Sequence, residues 1–266
     1  MNQKNTLISS FSNERVKYAT KLKEKKFRDS EGVIFIEGFR EIRRAYESKK
    51  LKFKCVYFSP ECFLGENEFD LIKKIGTETL ELSKKIFEKI SYRDRPDGLI
   101  ALAEQPDFKL NENLNLSGDL FLIIEGVEKP GNLGTILRTS DGAGVSAVII
   151  TDPRIDLFNP NVIRASTGIL FSLPVYISKL ETCINFFKKK NIPIFALSPE
   201  AKKNYSDFNY NHPTAFLFGN EQYGLSDLAK NKSDHLISIP MKGAADSLNL
   251  AMSCGIIAYE VLRQKK

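Results

Sequence analysis

The chain has 266 residues, of which 42% are hydrophobic, so it can bury one large core or two modest ones. No apolar run approaches the roughly 20 residues that a membrane-spanning helix needs. The first residues, MNQKNTLISSFSNERVKYATKLKEKK, lack the apolar centre of a secretory signal. These features argue against a membrane protein, and we expect a soluble, cytoplasmic one.

The net charge of +6 is unevenly distributed along the chain. Residues 1–54 carry 15 Lys and Arg against 7 Asp and Glu, a net charge of +8, whereas the remainder carries 24 against 26. Such a segment indicates either a surface that binds a polyanion or a solvated helix face, and charge alone favours neither. The four cysteines and two histidines form no metal-binding pattern, so we expect reduced, buried thiols and no metal centre.

The first half of the chain alternates between basic helices and short apolar strands. We expect a helix over residues 13–26, the strand GVIFIEG, the helix FREIRRAYESKK and the strand FKCVYFS. A strand and a helix follow in ETLELSKKIFEKI, and the strand GLIALAEQ closes the set. This alternation predicts a small α/β domain over residues 1–105. Residues 106–117 are polar and rich in Asn, which is typical of a linker.

The second half again alternates between strands and helices. Its predicted strands are continuous apolar runs, as expected of strands that are buried on both faces. FLIIEG, SAVIIT, IPIFALS, TAFLFGN and HLISIP are predicted strands, and SLNLAMSCGIIAYEVLRQ is a predicted C-terminal helix. Such runs are typical of a mostly parallel sheet that is covered by helices. We therefore expect an α/β domain over residues 118–266.

Polar residues follow three of these predicted strands, and open α/β sheets bind their ligands beyond the carboxyl ends of the strands. After FLIIEG, the glycines of PGNLG open a helix with Asn132 as its cap and Arg138 little more than one turn above the loop. Gly219 and Glu221 directly follow TAFLF, where a glycine would let a ligand lie against bare backbone. A surface arginine and a solvated carboxylate are the alternative interpretations of Arg138 and Glu221.

After HLISIP, Ser247 is expected to cap the last helix, with Asn249 in its first turn. For Ser247, the cap is also the alternative to a functional role. The chain contains neither a Walker lysine nor a GxGxxG sequence. It therefore lacks the phosphate-binding fingerprint of a nucleotide-dependent oxidoreductase.

Taken together, three segments resemble in order and spacing the motifs of the SpoU (or TrmH) family of RNA ribose 2′-O-methyltransferases, within the SPOUT superfamily. The matching strings are PGNLGTILRT, FLFGNEQYGLS and IPMKGAADSLNLAMSCGIIAYEVLR, and ASTGILFSLPV is similar to the segment between the first two motifs. The first half resembles, more loosely, the L7Ae/L30e-like domain that binds substrate in such enzymes. NERVKYATKLKEKKFRDSEGVIFIEGFREI and RPDGLIALAE carry that second resemblance.

The resemblance implies a knotted, parallel-sheet catalytic domain that follows a smaller L30e-like α/β domain. It also implies S-adenosyl-L-methionine as cofactor and a homodimer whose active site forms near the subunit interface. Cofactor contacts are implied at Gly219, Ile239 and Leu248. The catalytic and polar active-site positions implied by the motifs are Arg138, Asn132, Glu221, Ser247 and Asn249.

Two roles are compatible with Arg138. A guanidinium normally stays protonated, so Arg138 either accepts the hydroxyl proton with help from the RNA phosphate or only grips that phosphate. Bidentate guanidinium–phosphate geometry favours the second role. Asn132 is implied to help fix Arg138.

One departure from the family pattern concerns substrate identity. Many members have Asp before the proline of the first motif, where this chain has Lys129, which could add a phosphate contact. We expect ribosomal RNA as the substrate, with tRNA as the alternative. A non-catalytic RNA-binding assembly factor is a third hypothesis, and the intact set of polar motif residues argues against it.

Overall fold

A computed structural model of the chain describes residues 7–111 and 113–265. The chain forms two compact units. The first unit contains Met1–Asp107 and Asp156–Ser172, and the second contains Phe108–Ile155 and Leu173–Lys266. In the described ranges, no helix has the length and apolar character needed to cross a membrane.

The elements before residue 107 include the four predicted strands, together with a helix, Glu68–Ile75, that was not predicted. They are α1 (Glu14–Lys21), α2 (Lys25–Glu31), β1 (Val33–Glu37), α3 (Phe39–Glu47), β2 (Phe53–Phe58), α4 (Glu68–Ile75), β3 (Glu78–Glu81), α5 (Lys84–Ile90) and β4 (Leu99–Glu104).

The elements after residue 107 begin with a buried strand and end with the longest helix of the described chain. They are β5 (Leu120–Glu125), α6 (Pro130–Gly142), β6 (Ala147–Thr151), α7 (Pro160–Ala165), α8 (Ile169–Ser172), β7 (Val175–Ser178), α9 (Leu180–Lys189), β8 (Ile194–Leu197), β9 (Lys203–Asn204), β10 (Thr214–Phe218), α10 (Asp227–Lys232), β11 (His235–Ser238) and α11 (Leu250–Gln264).

The first unit is built on a four-stranded sheet in the order β1-β4-β2-β3. Strand β4 is antiparallel to both of its neighbours, and β3 is parallel to β2. Apolar side chains of α1 and α5, such as Val16 and Phe87, form one core with Phe35 and Ile100 of this sheet. The expected small α/β domain is therefore present.

The single basic helix that we expected over residues 13–26 is wrong, because the chain forms two helices there. Asn13 does cap α1, since its side-chain oxygen accepts a hydrogen bond from the Arg15 N–H at 2.9 Å. The helix ends at Lys21, and α2 begins after Glu24, whose backbone is extended with ψ 130°. Arg28 Nη1 donates to the backbone oxygens of Leu22 and Lys23, each at 2.7 Å. A continuous helix would need those oxygens for its own hydrogen bonds.

The segment Asp156–Ser172 packs within the first unit, although it lies between strands of the second. Asp156 pairs with Arg28, which is only 2% exposed. Arg44 Nη1 donates to the Thr167 carbonyl oxygen at 2.5 Å. A Cβ atom at Gly168 would lie 2.9 Å from the Cα atom of Glu41, so the glycine permits close packing on α3. We retain residues 118–266 as the proposed catalytic domain, with this one segment packed elsewhere.

The second unit contains a seven-stranded sheet in the order β7-β6-β5-β10-β8-β11-β9, and its paired strands are parallel. The five predicted strands are β5, β6, β8, β10 and β11, which confirms the predicted parallel-sheet α/β fold. Strands β7 and β9 were not predicted, because they have only 4 and 2 residues. Short edge strands carry too little alternation to be recognised from sequence.

The four cysteines are free and buried, as expected. Burial raises the pKa of Cys55 to about 12, and burial also raises the pKa of Cys183 and Cys254. A thiol that stays protonated is a poor nucleophile, so these cysteines have the properties of small apolar core residues.

Candidate active site

Asn220 ties together the segments that follow the neighbouring strands β5 and β10. Its amide Nδ2 donates to the Gly126 carbonyl oxygen at 2.7 Å and to Glu128 Oε1 at 3.1 Å. Its Oδ1 accepts from the backbone N–H groups of Gln222 at 2.8 Å and Tyr223 at 3.1 Å. The turn after β10 is therefore fixed to the end of β5. Asn220 follows a predicted strand together with Gly219 and Glu221, but sequence reasoning assigned it no role in the site.

Gly219 is required by the chain itself. A Cβ atom at this position would lie 2.3 Å from the carbonyl carbon of Gly224 and 2.4 Å from the Leu225 nitrogen. A side chain at this position would therefore collide with the turn, whether or not a ligand lies against the bare backbone as we expect. The glycine permits the close return of the chain, and that return shapes the adjacent cavity.

A cavity of about 340 Å³ lies at the carboxyl ends of β8, β10 and β11. It is lined by all three residues expected to contact the cofactor and by two of the expected catalytic residues: Gly219, Ile239, Leu248, Glu221 and Ser247. The volume lies in the range of roughly 300–1,000 Å³ that is usual for small-molecule sites. Phe218 and Met241 contribute further apolar lining. Its position beyond the strand ends matches the rule for open α/β sheets.

Glu221 is held at this cavity by Lys129. Lys129 Nζ lies 2.9 Å from Glu221 Oε2, and the two side chains are 70% and 14% exposed. The hydrogen bond to Glu221 raises the pKa of Lys129, so the ammonium stays charged. The second oxygen, Glu221 Oε1, is buried and has no hydrogen-bond partner within residues 7–111 and 113–265. The carboxylate therefore keeps one unused acceptor.

Asn132 and Asn249 meet at the starts of the two helices that carry them. The expected helix caps are wrong: α6 already begins at Pro130, and Asn249, not Ser247, caps α11. Pro130 is pre-organised for the first position of a helix, which places Asn132 within the first turn. Asn249 Oδ1 accepts from the Ala251 N–H at 2.9 Å, and Asn249 Nδ2 donates to Asn132 Oδ1 at 3.2 Å.

This arrangement leaves a buried donor at the site. Asn132 Nδ2 makes no hydrogen bond with any residue that the structure describes. A buried polar atom without a partner costs about 1–3 kcal/mol, so such atoms are rare unless a ligand satisfies them. Asn132 Nδ2 and Glu221 Oε1 thus offer one donor and one acceptor.

Arg138 lies apart from these residues. It is exposed on α6, and it forms no hydrogen bond or ion pair within the described part of the chain. Six residues along a helix separate its Cα atom from that of Asn132 by about 9 Å and about 120° around the axis. Arg138 also does not line the cavity. The structure therefore places Glu221 and Ser247 at the cavity and pairs Asn132 with Asn249, but it joins Arg138 to neither pair.

Comparison with protein families matches both halves of the chain. Residues 119–259 match the SpoU rRNA Methylase family. Residues 13–101 match the MRM3-like substrate binding domain. The first match spans the strand ends and cavity described above, and the second spans most of the first unit.

Individual relatives match almost the whole chain. The 23S rRNA (guanosine(2553)-2′-O)-methyltransferase RlmP of Bacillus subtilis is 28% identical, with 96% of this chain and 98% of RlmP covered. A crystal structure of an RNA 2′-O ribose methyltransferase is 37% identical, covers 97% of this chain and 99% of its own, and has a TM-score of 0.85. An AdoMet-bound rRNA methyltransferase from Sinorhizobium meliloti is 29% identical, covers 97% of each chain, and has a TM-score of 0.87.

Proposed function

The chain belongs to the SpoU rRNA methylase family, and we propose that it transfers a methyl group from S-adenosyl-L-methionine to a ribose 2′-hydroxyl of ribosomal RNA. The cavity beyond β10 is the observation that carries this proposal. It combines the apolar positions implied for cofactor contact with a carboxylate that keeps one free acceptor. Relatives with named RNA substrates match the chain over nearly its full length.

The residues at the cavity suit S-adenosyl-L-methionine. Ile239 and Leu248 provide apolar surface for a purine, and the backbone around Gly219 provides hydrogen-bonding groups close to the cavity. The buried acceptor Glu221 Oε1 would satisfy a donor of the bound molecule. When bound, the cofactor supplies an activated methyl group, so the protein needs to position the acceptor hydroxyl and stabilise charge.

The polar residues of the motifs would position the RNA, and each would have a different role. We propose that Asn132 Nδ2, which has no partner in the described chain, binds the RNA near the reactive ribose. Asn249 orients Asn132 through their 3.2 Å hydrogen bond. Arg138 grips a phosphate with its two-pronged guanidinium and so orients the attacking hydroxyl. Ser247, exposed in the loop before α11, completes the implied set.

We further propose that the enzyme is a homodimer in which Arg138 acts in the site of the partner. Arg138 is exposed and far from Asn132 along α6, and α6 packs against α11. On α11, Met252 and Tyr259 are 59% and 51% exposed, an unusual exposure for such large apolar side chains. Burial of this α6–α11 surface against a second copy would remove that apolar area from water.

Mixing two inactive variants tests the shared site. Arg138→Ala and Glu221→Ala each disable one half of it, and hybrid dimers contain one site with both residues intact. If the site is shared, mixtures should regain about a quarter of wild-type turnover, whereas each variant alone stays inactive. Mixtures that remain inactive, although light scattering shows dimers that exchange subunits, would place Arg138 and Glu221 of one chain in the same site.

Ribosomal RNA is favoured over tRNA because the first unit is part of the matched architecture. Residues 1–54 carry a net charge of +8, and residues 13–101 match a substrate-binding domain. A non-catalytic RNA-binding factor would have no need for the cavity or for the buried polar atoms beside it. We also propose the trefoil knot that the family resemblance implies, and a cytoplasmic location.

Mass spectrometric mapping of ribose methylation tests the function directly. Ribosomal RNA and tRNA should be isolated from cells with and without the protein, and the purified enzyme should be supplied with each RNA and labelled cofactor. We expect one ribosomal nucleotide to lose its 2′-O-methyl group in the deletion strain and to regain it in vitro. Restoration on tRNA alone would transfer the proposal to the alternative substrate, and no methylation on either RNA would refute it.

A further inference from the structure

Tyr223 is the most exposed aromatic side chain of the described second unit, yet it stands at the mouth of the proposed cofactor cavity. It is 68% exposed, and it lies in the turn that follows β10. It also contributes to the lining of the cavity. Large aromatic side chains bury roughly 150–250 Å² when they find a partner, so an exposed ring beside a functional cavity has surface available to a ligand.

The ring is not free to move at random. The Tyr223 N–H donates to Asn220 Oδ1 at 3.1 Å, and Asn220 and Gly224 exchange two backbone hydrogen bonds of 2.9 Å around it. The Arg154 guanidinium lies 5.7 Å from the ring centroid. A guanidinium at this distance attracts the face of the ring, and it stiffens a side chain that solvent alone would leave mobile.

Arg154 is itself fixed in place. Its Nη1 donates to Glu128 Oε1 at 2.9 Å, and its backbone N–H donates to the Val127 carbonyl oxygen at 3.1 Å. The same Glu128 oxygen accepts from Asn220. Segments after β5, β6 and β10 therefore hold the ring as a pre-organised surface. Pre-organisation lowers the entropy cost of binding a ligand on that surface.

The surrounding charge indicates what the ligand is. Arg154, beside the ring, pairs with Glu128, and Lys129 pairs with Glu221, which lies two residues before Tyr223. The side chains of Arg154 and Lys129 are 58% and 70% exposed. A flat aromatic ring that is bordered by exposed cations suits a planar base attached to a phosphate chain. An apolar peptide would gain little from those cations.

We propose that Tyr223, backed by Arg154, is a stacking platform for a nucleobase of the RNA at the methylation site. This inference rests on the proposed function and deepens it. A base can stack on the ring only after it leaves its neighbours in the RNA, so the platform selects an unpaired segment. Because every base has a π-face, stacking fixes the position of the nucleotide without reading its identity.

Replacement of the ring tests the platform. With ribosomal RNA from cells that lack the protein as substrate, Tyr223→Ala should raise the KM for RNA by about tenfold or more, as expected from the loss of one base–aromatic stack. Tyr223→Phe keeps the ring and should recover most of that loss. Arg154→Met should give a smaller increase in KM. Leu236→Ala, which trims a 39% exposed side chain on β11 away from the cavity lining, is the matched control.

Two direct binding measurements complete the test. The affinity for S-adenosyl-L-methionine should change by less than about threefold in Tyr223→Ala, measured by calorimetry, because the ring is 68% exposed at the edge of the cavity and offers a bound cofactor little buried surface. A short oligo(A) that carries 2-aminopurine should show stacking through quenched fluorescence with the wild type and with Tyr223→Phe, but not with Tyr223→Ala.

Three outcomes would overturn the platform. An unchanged KM and unchanged quenching in a folded Tyr223→Ala variant would remove the ring from RNA binding. A lost cofactor affinity would assign the ring to the cofactor cavity, and a Tyr223→Phe variant as impaired as Tyr223→Ala would assign the role to the hydroxyl. A wild-type protein that methylates no RNA would refute the proposed function instead, and the quenching measurement would still test the ring.

Discussion

The two units differ in which polar side chains they bury. In the described part of the chain, every buried charged side chain belongs to the first unit: Arg28, Glu37, Glu41, Glu68 and Asp97. The buried polar residues of the second unit are Ser and Thr only. Its acidic and basic site residues stand instead at strand ends and remain partly accessible, as Glu221 and Lys129 do.

The comparison teaches that buried charge serves structure in the first unit, whereas the charged residues at the strand ends of the second unit remain accessible to a ligand. A buried ion must be paired within the protein, and removal of one partner leaves an uncompensated charge. Arg93 illustrates this pairing in the first unit, where it lies 2.9 Å from Glu41 and 3.1 Å from Asp97. Burial raises the pKa of Glu41, and Arg93 opposes that effect. Charges at the strand ends of the second unit are free to exchange partners with a ligand.

Removal of residues 1–105 should have the largest effect. The deletion removes most of the unit into which α7 and α8 pack. In the intact chain, four apolar residues of these helices are each at most 1% exposed: Val162, Ile163, Leu170 and Phe171. We expect the remaining chain to aggregate, measured as loss from the soluble fraction and as light scattering. The same truncation with Leu170→Gln and Phe171→Gln should recover solubility. A soluble, cofactor-binding truncation without those changes would contradict this dependence.

Arg28→Met should cost the next largest amount, about 3 kcal/mol of unfolding free energy, because Asp156 loses its partner in a buried place. Urea denaturation of the full chain measures it. Arg15→Met is the matched control, since Arg15 and Glu78 are 53% and 46% exposed and such pairs contribute about 1 kcal/mol or less. Equal effects of the two changes would mean that burial of the pair has no consequence.

Arg138→Lys and Arg138→Ala should each lower turnover by about a hundredfold, roughly 2.7 kcal/mol of transition-state stabilisation. An ammonium cannot reproduce the two parallel bonds of a guanidinium to phosphate. Cofactor affinity should change by less than about threefold, since Arg138 does not line the cavity. Arg263→Lys, at a 70% exposed arginine on α11, is the control. Near-normal turnover of Arg138→Lys would exclude the two-pronged grip.

Lys129→Met should have the smallest effect. If the ammonium contacts one phosphate, the slope of log affinity for RNA against log salt should become shallower by about 0.7–0.9. Filter binding over a range of salt concentrations measures this slope, with Lys232→Met on α10 as the control. An unchanged slope would confine Lys129 to its ion pair with Glu221.

Much of the second unit could be predicted because its strands are continuous apolar runs and its motifs lie directly after them. The strands β5, β6, β8, β10 and β11 and their parallel arrangement follow from that pattern. The helix starts could not be placed to the residue. Pro130 begins α6 before the glycines, and Asn249 caps α11 two residues after the Ser247 that the sequence offered as the cap.

The missed features depend on contacts between distant residues. No local pattern pairs Arg28 with Asp156 across 128 positions or predicts that its guanidinium binds the backbone oxygen of Leu22. The steric need for Gly219 comes from the return of the chain at Gly224, which sequence spacing does not reveal. Both cases are decided by tertiary packing, which overrides local propensity.

The discontinuity of the first unit has a consequence for the order in which the chain folds during synthesis. Its closing segment, Asp156–Ser172, leaves the ribosome only after β5 and β6 have been made. Arg28 therefore has no Asp156 to pair with at the stage when β5 and β6 can already pair with each other. Nascent domains usually mature one after another from the N-terminus, but here maturation of the two units is interleaved. Chains arrested before residue 156 should remain protease-sensitive at α1 and α2, and chains arrested well beyond residue 172 should resist.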